Sequence, residues 1–183
     1  YFKENQQPKD ITFSTTAGIG VGEGRGLDHL VQPGLLKRAV VSYIATSHIA
    51  NRSAHENLFE LFMIPQGMIG KLYQNAAHRG PGVFSKVGME TFIDPDQTGG
   101  KMNEKAKAAE DIVKKVELNG EQWLHYKPLP INVAFIKASY ADKNGNLSMK
   151  REPVLLESLS LATAAHNAGG VVIAQVEEIV ENN

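Results

Sequence analysis

The sequence contains no cysteine, which removes disulfides, thiolate catalysis and zinc–thiolate centres together. It has no surplus of charge either. With 19 Lys and Arg against 20 Asp and Glu, the net charge is −1, so no overall field draws the chain to nucleic acid or to an acidic membrane face. No apolar run approaches bilayer-spanning length and no signal peptide is legible. The expectation is a soluble, cytoplasmic protein that partners neither nucleic acid nor membrane. The histidines are scattered without an H-E-x-x-H pattern, and no G-x-S-x-G elbow occurs, so neither a zinc site nor a serine nucleophile is expected.

Glycine is abundant in one stretch, at Gly18, Gly20, Gly22, Gly24 and Gly26. A dinucleotide fingerprint places a glycine five residues after its first, and those positions hold Glu23 and Arg25. No Walker lysine follows. What remains is a permissive loop that suits close approach to a ligand or another chain, and equally a plain mobile connection.

The chain is organised around Leu58-Phe-Glu-Leu-Phe-Met-Ile-Pro-Gln-Gly67. This reads as a buried strand ending at Pro65 and Gly67, followed at once by a helix running to about Arg79. Met68, Leu72 and Ala76, with Ile69, Tyr73 and Ala77, form its apolar stripe. The amides of Gln66 and Gly67 then fall at a helix N-terminus, where they lack intrahelical acceptors and carry partial positive charge. In an open α/β sheet, ligands collect at that edge, outside the carboxyl ends of the strands.

Around this centre, Ile11 to Thr15 and Leu35 to Ile44 read as strands, and Ser47 as the cap of a helix reaching about Asn57. Asp28 is placed to cap a short turn before Pro33-Gly34. Asn119-Gly120 joins Val113 to Leu118 with Gln122 to Tyr126 in an antiparallel hairpin. The nearly continuous apolar run Ile131 to Ala138 reads as a central strand buried on both faces, and Val171 to Val176 as another. Between them, Leu155, Leu159, Ala162 and Ala165 mark a helix closed by Gly169-Gly170. The expected architecture is α/β: a mostly parallel sheet with helices on its faces, plus an antiparallel hairpin excursion. At 183 residues the chain suits a single domain. Lys86 to Asn103 has no period, yet Met89, Phe92, Ile93 and Met102 argue against disorder, so a folded loop lining a site is expected. Composition and spacing name no reaction.

The motifs Gly24-Arg-Gly-Leu-Asp-His-Leu30, Pro33-Gly-Leu-Leu-Lys-Arg38, Met63-Ile-Pro-Gln-Gly67, Gly88-Met-Glu-Thr-Phe-Ile-Asp-Pro95, Gly99-Gly-Lys-Met-Asn103 and His166-Asn-Ala-Gly-Gly-Val-Val172 run through almost the whole chain. Together they resemble the amino-terminal domain of family I coenzyme A transferases, closest to the acetate/propionate branch. The resemblance implies a fold related to that of sugar-phosphate isomerases, no permanently bound cofactor, and coenzyme A as substrate. It implies exchange of CoA between acyl-CoA (acetyl-CoA, propionyl-CoA) and free short-chain carboxylic acids through a glutamyl-CoA thioester. A backbone amide at Gln66 would serve the oxyanion, and Gly67, Gly88, Met89, Thr91 and Phe92 would bound the small acid. The family's nucleophilic glutamate lies in the second half, in a glycine-flanked setting, and none of the glutamates here is expected to fill that role: Glu90 precedes Thr91 and Glu181 precedes Asn182. Residues 1–183 are therefore expected to be a fragment of the amino-terminal half of a longer two-domain enzyme, inactive alone, partnered by a missing carboxy-terminal half and homo-oligomeric when whole. Two other readings stay open. One is a non-catalytic module for CoA or carboxylate binding or for assembly; the other is a sugar-phosphate isomerase using the 18–26 loop for phosphate.

Overall fold

The computed structural model describes residues 2–181. The chain forms two compact units, residues 1–70 with 83–127, and residues 71–82 with 128–183. In the first, helix α1 (Phe2–Asn5) precedes three parallel strands, β1 (Ile11–Ser14), β2 (Leu36–Val41) and β3 (Glu60–Met63), in the order β1-β2-β3. The register sets Ala39 against Leu61 and Val40 against Phe62, and all four are buried. Adjacent residues point to opposite faces, so both faces are covered, which is why these strands read as unbroken apolar runs.

Helix α2 (His48–His55) starts as expected at Ser47, whose Oγ accepts the Ala50 amide at 3.0 Å, and turns Ala50 and Ala54 into the core. Helix α3 (Gln66–Ala77) begins three residues after β3 ends; Met68, Ile69, Leu72, Tyr73 and Ala77 are buried. Strand β2 stops at Val41, three residues before the expected Ile44; the chain beyond it bends away, with the Ile44 carbonyl accepting the Ser47 amide at 3.1 Å in a turn that leads to α2. Helix α3 stops at Ala77, two residues early, where the Asn75 side chain holds both the amide and the carbonyl of Gly82.

Strands β4 (Val83–Ser85), β5 (Val113–Leu118) and β6 (Glu121–Tyr126) form the antiparallel excursion, ordered β4-β6-β5. Asn119 and Gly120 both have positive φ, 53° and 77°, the geometry of the two-residue turn that matches strand twist. Between β4 and the short helix α4 (Glu104–Lys107), the aperiodic stretch is a folded run of turns.

The second unit pairs β7 (Val133–Lys137) with β10 (Val171–Gln175) in parallel, while β8 (Tyr140–Asp142) takes β9 (Leu147–Ser148) on one side and β11 (Glu178–Val180) on the other. Helix α5 (Ser158–Asn167) packs on β7 and β10, with Ala164 and Ala165 buried. Three sequence expectations are corrected here. Strand β7 buries one face only: Ala134 and Ile136 are covered, whereas Val133 is 49% and Phe135 76% exposed. Across from them, every residue of β10 is exposed and, among the described residues, β10 pairs with β7 alone, so the expectation of a second central strand at Val171–Val176 fails too, and the outer side of the pair is bare. The helix starts at Ser158, and small alanines make its inward contact; Leu155 and Leu159 face solvent.

Candidate functional site

The turn after β3 places Pro65 where its carbonyl accepts from both the Met68 and Ile69 amides, at 2.8 and 3.2 Å. Pro65 thus stands at the N-cap position of α3, and, being proline, it has no side-chain acceptor with which to close the first turn. The amides of Gln66 and Gly67 find no acceptor among the described residues. Both residues are exposed, and a Cβ added to Gly67 would meet nothing within 4 Å. Two donors at the positive end of a twelve-residue helix therefore face open space at the carboxyl edge of the β1-β2-β3 sheet.

The 88–92 segment is tied to the same strand end. The Met63 amide donates to the Gly100 carbonyl at 2.9 Å, the Met102 amide to the Leu61 carbonyl at 2.9 Å, and Phe62 bridges Lys101 in antiparallel sense. In turn the Gly100 amide and the Thr98 hydroxyl donate to the Phe92 carbonyl, at 3.0 and 2.6 Å. Gly100 has φ +74°, and a Cβ there would lie 2.7 Å from the Met63 carbonyl oxygen, so only glycine fits this seam.

Within the segment, Met89 is half-buried and Phe92 is 46% exposed, leaving apolar surface outward. The Thr91 hydroxyl donates to the Gly88 carbonyl at 2.8 Å. A Cβ on Gly88 would come within 2.6 Å of the Tyr126 hydroxyl, so its close approach is to the hairpin; burial pushes that phenol up to about 12.

Two side chains hold this arrangement: Asn103, whose role sequence reasoning passed over, and Asp94, which the sequence marks, with Pro95 and Asp96, as the start of a turn. Asn103, buried at the start of α4, uses every hydrogen-bonding position it has. Its Oδ1 accepts the Leu61 and Ala106 amides at 3.2 and 3.0 Å, and its Nδ2 donates to the Ala54 and Phe59 carbonyls at 2.9 and 2.8 Å. An asparagine preceding Glu104 is an N-cap signal, and it stood at the end of a stretch read only as aperiodic.

The second is Asp94, also buried. Burial alone would raise its pKa, but the amides of Glu90 and Asp96 and the Lys115 ammonium, at 2.9, 3.0 and 3.1 Å, outweigh this and hold the carboxyl below the usual range. A folded-state pKa below the unfolded value contributes stability that is complete above the unfolded carboxylate pKa of about 3.9 and is lost as pH falls through the folded value. Denaturant titrations from neutral to strongly acid pH are expected to show this loss below about pH 4. Asp94→Asn is expected to flatten that acid limb and to lower stability at neutral pH.

The 18–26 loop is filled from within. The Asp28 carboxylate, buried rather than capping a turn, accepts the Gly22 and Gly24 amides at 2.8 and 3.2 Å and the Ser47 hydroxyl at 2.5 Å. An internal anion already occupies the donors that a phosphate would need. Glu23, the one glutamate with glycine on both sides, is exposed and paired with Arg25. No cluster of three or more metal-ligating side chains occurs among the described residues, and no helix among them is long and apolar enough to cross a membrane.

Comparison with known proteins gives this geometry its context. The family model described as coenzyme A transferase matches residues 2–183. The acetate CoA-transferase YdiF of Escherichia coli K12 is 35% identical over 180 residues, which cover 98% of this chain and 34% of that protein. The caffeate CoA-transferase of Acetobacterium woodii is 36% identical over 176 residues, 96% of this chain and 33% of that one. A crystal structure of YdiF from E. coli O157:H7, a thioester complex with CoA, matches with a TM-score of 0.92 at 34% identity, covering 98% of this chain and 37% of that chain. Glutaconate CoA-transferase from Acidaminococcus fermentans shares the fold, with a TM-score of 0.74 at 20% identity, covering 96% of this chain and 56% of its own. The chain spans about a third of the length of these two curated relatives. With a matching family model over nearly every residue, the chain belongs to the coenzyme A transferase family.

Proposed function

We propose that residues 1–183 act as the acyl-binding, oxyanion-stabilising part of the amino-terminal half of a two-part CoA transferase of the acetate/propionate type. The observation that carries this reading is the pair of unpartnered amides at Gln66 and Gly67, facing open space beside a strand end to which the Met89–Phe92 wall is tethered. In this reading a glutamate supplied by the other half of the polypeptide attacks the acyl-CoA carbonyl. The negative charge that develops on the carbonyl oxygen is met by the Gln66 amide, with the positive end of α3 behind it. Collapse expels CoA thiolate and leaves an acyl-glutamyl anhydride. Attack by the thiolate on the glutamyl carbonyl releases the first acid and gives the glutamyl-CoA thioester, and a second carboxylate reverses the sequence. Met89 and Phe92 supply apolar surface to a short acyl chain, and Gly67 leaves room for it. Coenzyme A enters and leaves as substrate. The whole enzyme is a homo-oligomer working in the cytoplasm on acyl-CoA and short-chain acids.

The test is exchange between acetyl-CoA and propionate, run on the polypeptide that carries both halves and on residues 1–183 alone. The former is expected to turn over and to yield a borohydride-trapped glutamyl adduct during turnover; the latter is expected to be inert. Turnover by residues 1–183 alone, or turnover of the longer protein with no trappable adduct, would overturn the reading.

A further inference from the structure

The Gly18–Gly26 loop has an unusual anchor. It leaves β1 at the same carboxyl edge as Gln66 and is stitched to the segment leaving β2: Ser42 Oγ donates to the Thr16 carbonyl at 2.7 Å. The exit of β3 is held to the exit of β2 by the Ile64 amide on the Val41 carbonyl at 3.1 Å. The loop's base is therefore about two strand spacings, roughly 10 Å, from the strand end that leads into Gln66. The Asp28 carboxylate sits inside the loop, 4% exposed, bonded to Gly22, Gly24 and the Ser47 hydroxyl that also caps α2. The loop closes so tightly on it that a Cβ at Gly20 would lie 1.8 Å from Asp28 Oδ1. Ile19 is fully buried beneath, while Val21, at the outer turn, is an apolar side chain left 58% exposed.

We infer that this loop is a fixed rim at the β1–β2 end of the sheet's carboxyl edge, that Asp28 is its positioning residue, and that its task is to keep water from reaching the acylated intermediate from that side. The inference rests on the function proposed above, because an acyl-glutamyl anhydride is the species that needs protecting. In the side reaction, water adds to the acyl carbonyl carbon and the bond from that carbon to the glutamate oxygen breaks. The acid leaves with the water's oxygen, and the glutamate returns as carboxylate. One of the water's protons goes to the CoA thiolate and the other to solvent. The net result is acyl-CoA plus water giving acid plus free CoA thiol, with no CoA delivered to the acceptor. A rigid loop with an apolar tip suppresses this, whereas a loop whose amides are released to solvent admits water.

The experiment measures, in the polypeptide carrying both halves, free CoA thiol released per CoA transferred from acetyl-CoA to propionate. Asp28→Ala is expected to raise this hydrolysis-to-transfer ratio roughly tenfold. Asp28→Asn, which keeps an oxygen acceptor for the loop amides, is expected to restore a ratio close to the parent's. A purely structural role would lower both rates together and leave the ratio unmoved. Should Asp28→Ala fail to fold, Val21→Ser at the exposed tip decides the matter, with an expected rise of roughly threefold at an unchanged melting temperature. Parent-like ratios in a folded Asp28→Ala protein, or in Val21→Ser where the former does not fold, overturn the inference while leaving CoA transfer intact. Absence of any transfer by the parent overturns the functional reading itself.

Discussion

Gln66→Pro, made in the polypeptide carrying both halves, is expected to lower kcat about 10²- to 10³-fold, or 3 to 4 kcal/mol of barrier, the typical cost of losing one oxyanion donor. The structure makes this a clean substitution. Gln66 is the first residue of α3, the helical position that proline tolerates best, because the missing N–H would have no intrahelical acceptor there. Its predecessor, Pro65, stands at the N-cap, where extended backbone is usual and a following proline demands nothing else. The fold should survive, and circular dichroism with a thermal melt checks that it does. Gln66→Ala keeps the amide and is expected to change kcat little. Equal losses in the two variants would assign the effect to the side chain and remove the backbone amide from the mechanism. KM for the acyl donor is expected to move far less than kcat, since the charge that the amide serves exists mainly in the transition state.

Asn103→Asp is expected to be the most destabilising conservative change in the first unit, on the order of 4 kcal/mol at neutral pH. The two carbonyls that now receive Nδ2–H, those of Ala54 and Phe59, would instead face a carboxylate oxygen in a buried site. Two acceptors lose their donor, and a charge is left without a cationic partner among the contacts Asn103 makes. The pH dependence carries the signature. Burial beside carbonyls raises the new carboxyl's pKa in the folded state, so the penalty is full above that raised value and is relieved as pH falls through it. Denaturant midpoints of the variant should therefore approach those of the parent on mild acidification. A variant that loses stability in parallel with the parent at every pH would show that the site is hydrated and the four-bond arrangement unimportant.

Much of the architecture was legible because local signals and tertiary demand agree in it. Asn119-Gly120 asks for a two-residue turn and receives one, and Ser47 caps the helix it precedes. Strand β3 and helix α3 read correctly since burial on both faces, then along one stripe, leaves distinct apolar periods. Where the reading strayed, the deciding partner was distant in sequence. Asp28 looks like a cap until the fold brings Ser47 and two loop amides to it. The aperiodic stretch concealed Asn103, whose four partners lie up to 49 residues away. Val133 and Phe135 looked interior because an apolar run carries no mark of which face is covered. The location of the donor turn was foreseeable from a strand, a proline and a helix in succession. The seam that ties the 88–92 segment to the end of β3 depends on Gly100, and no period announces that residue.

For the proposed function, that seam bears on how a small acid would get in and out. A segment hydrogen-bonded to β3 at Leu61 and Met63, and folded back on itself through the Phe92 carbonyl, cannot swing without tearing a ladder out of the sheet's edge. In the function proposed above, this wall consequently behaves as masonry, and whichever door admits substrate must hang on some other part of the enzyme.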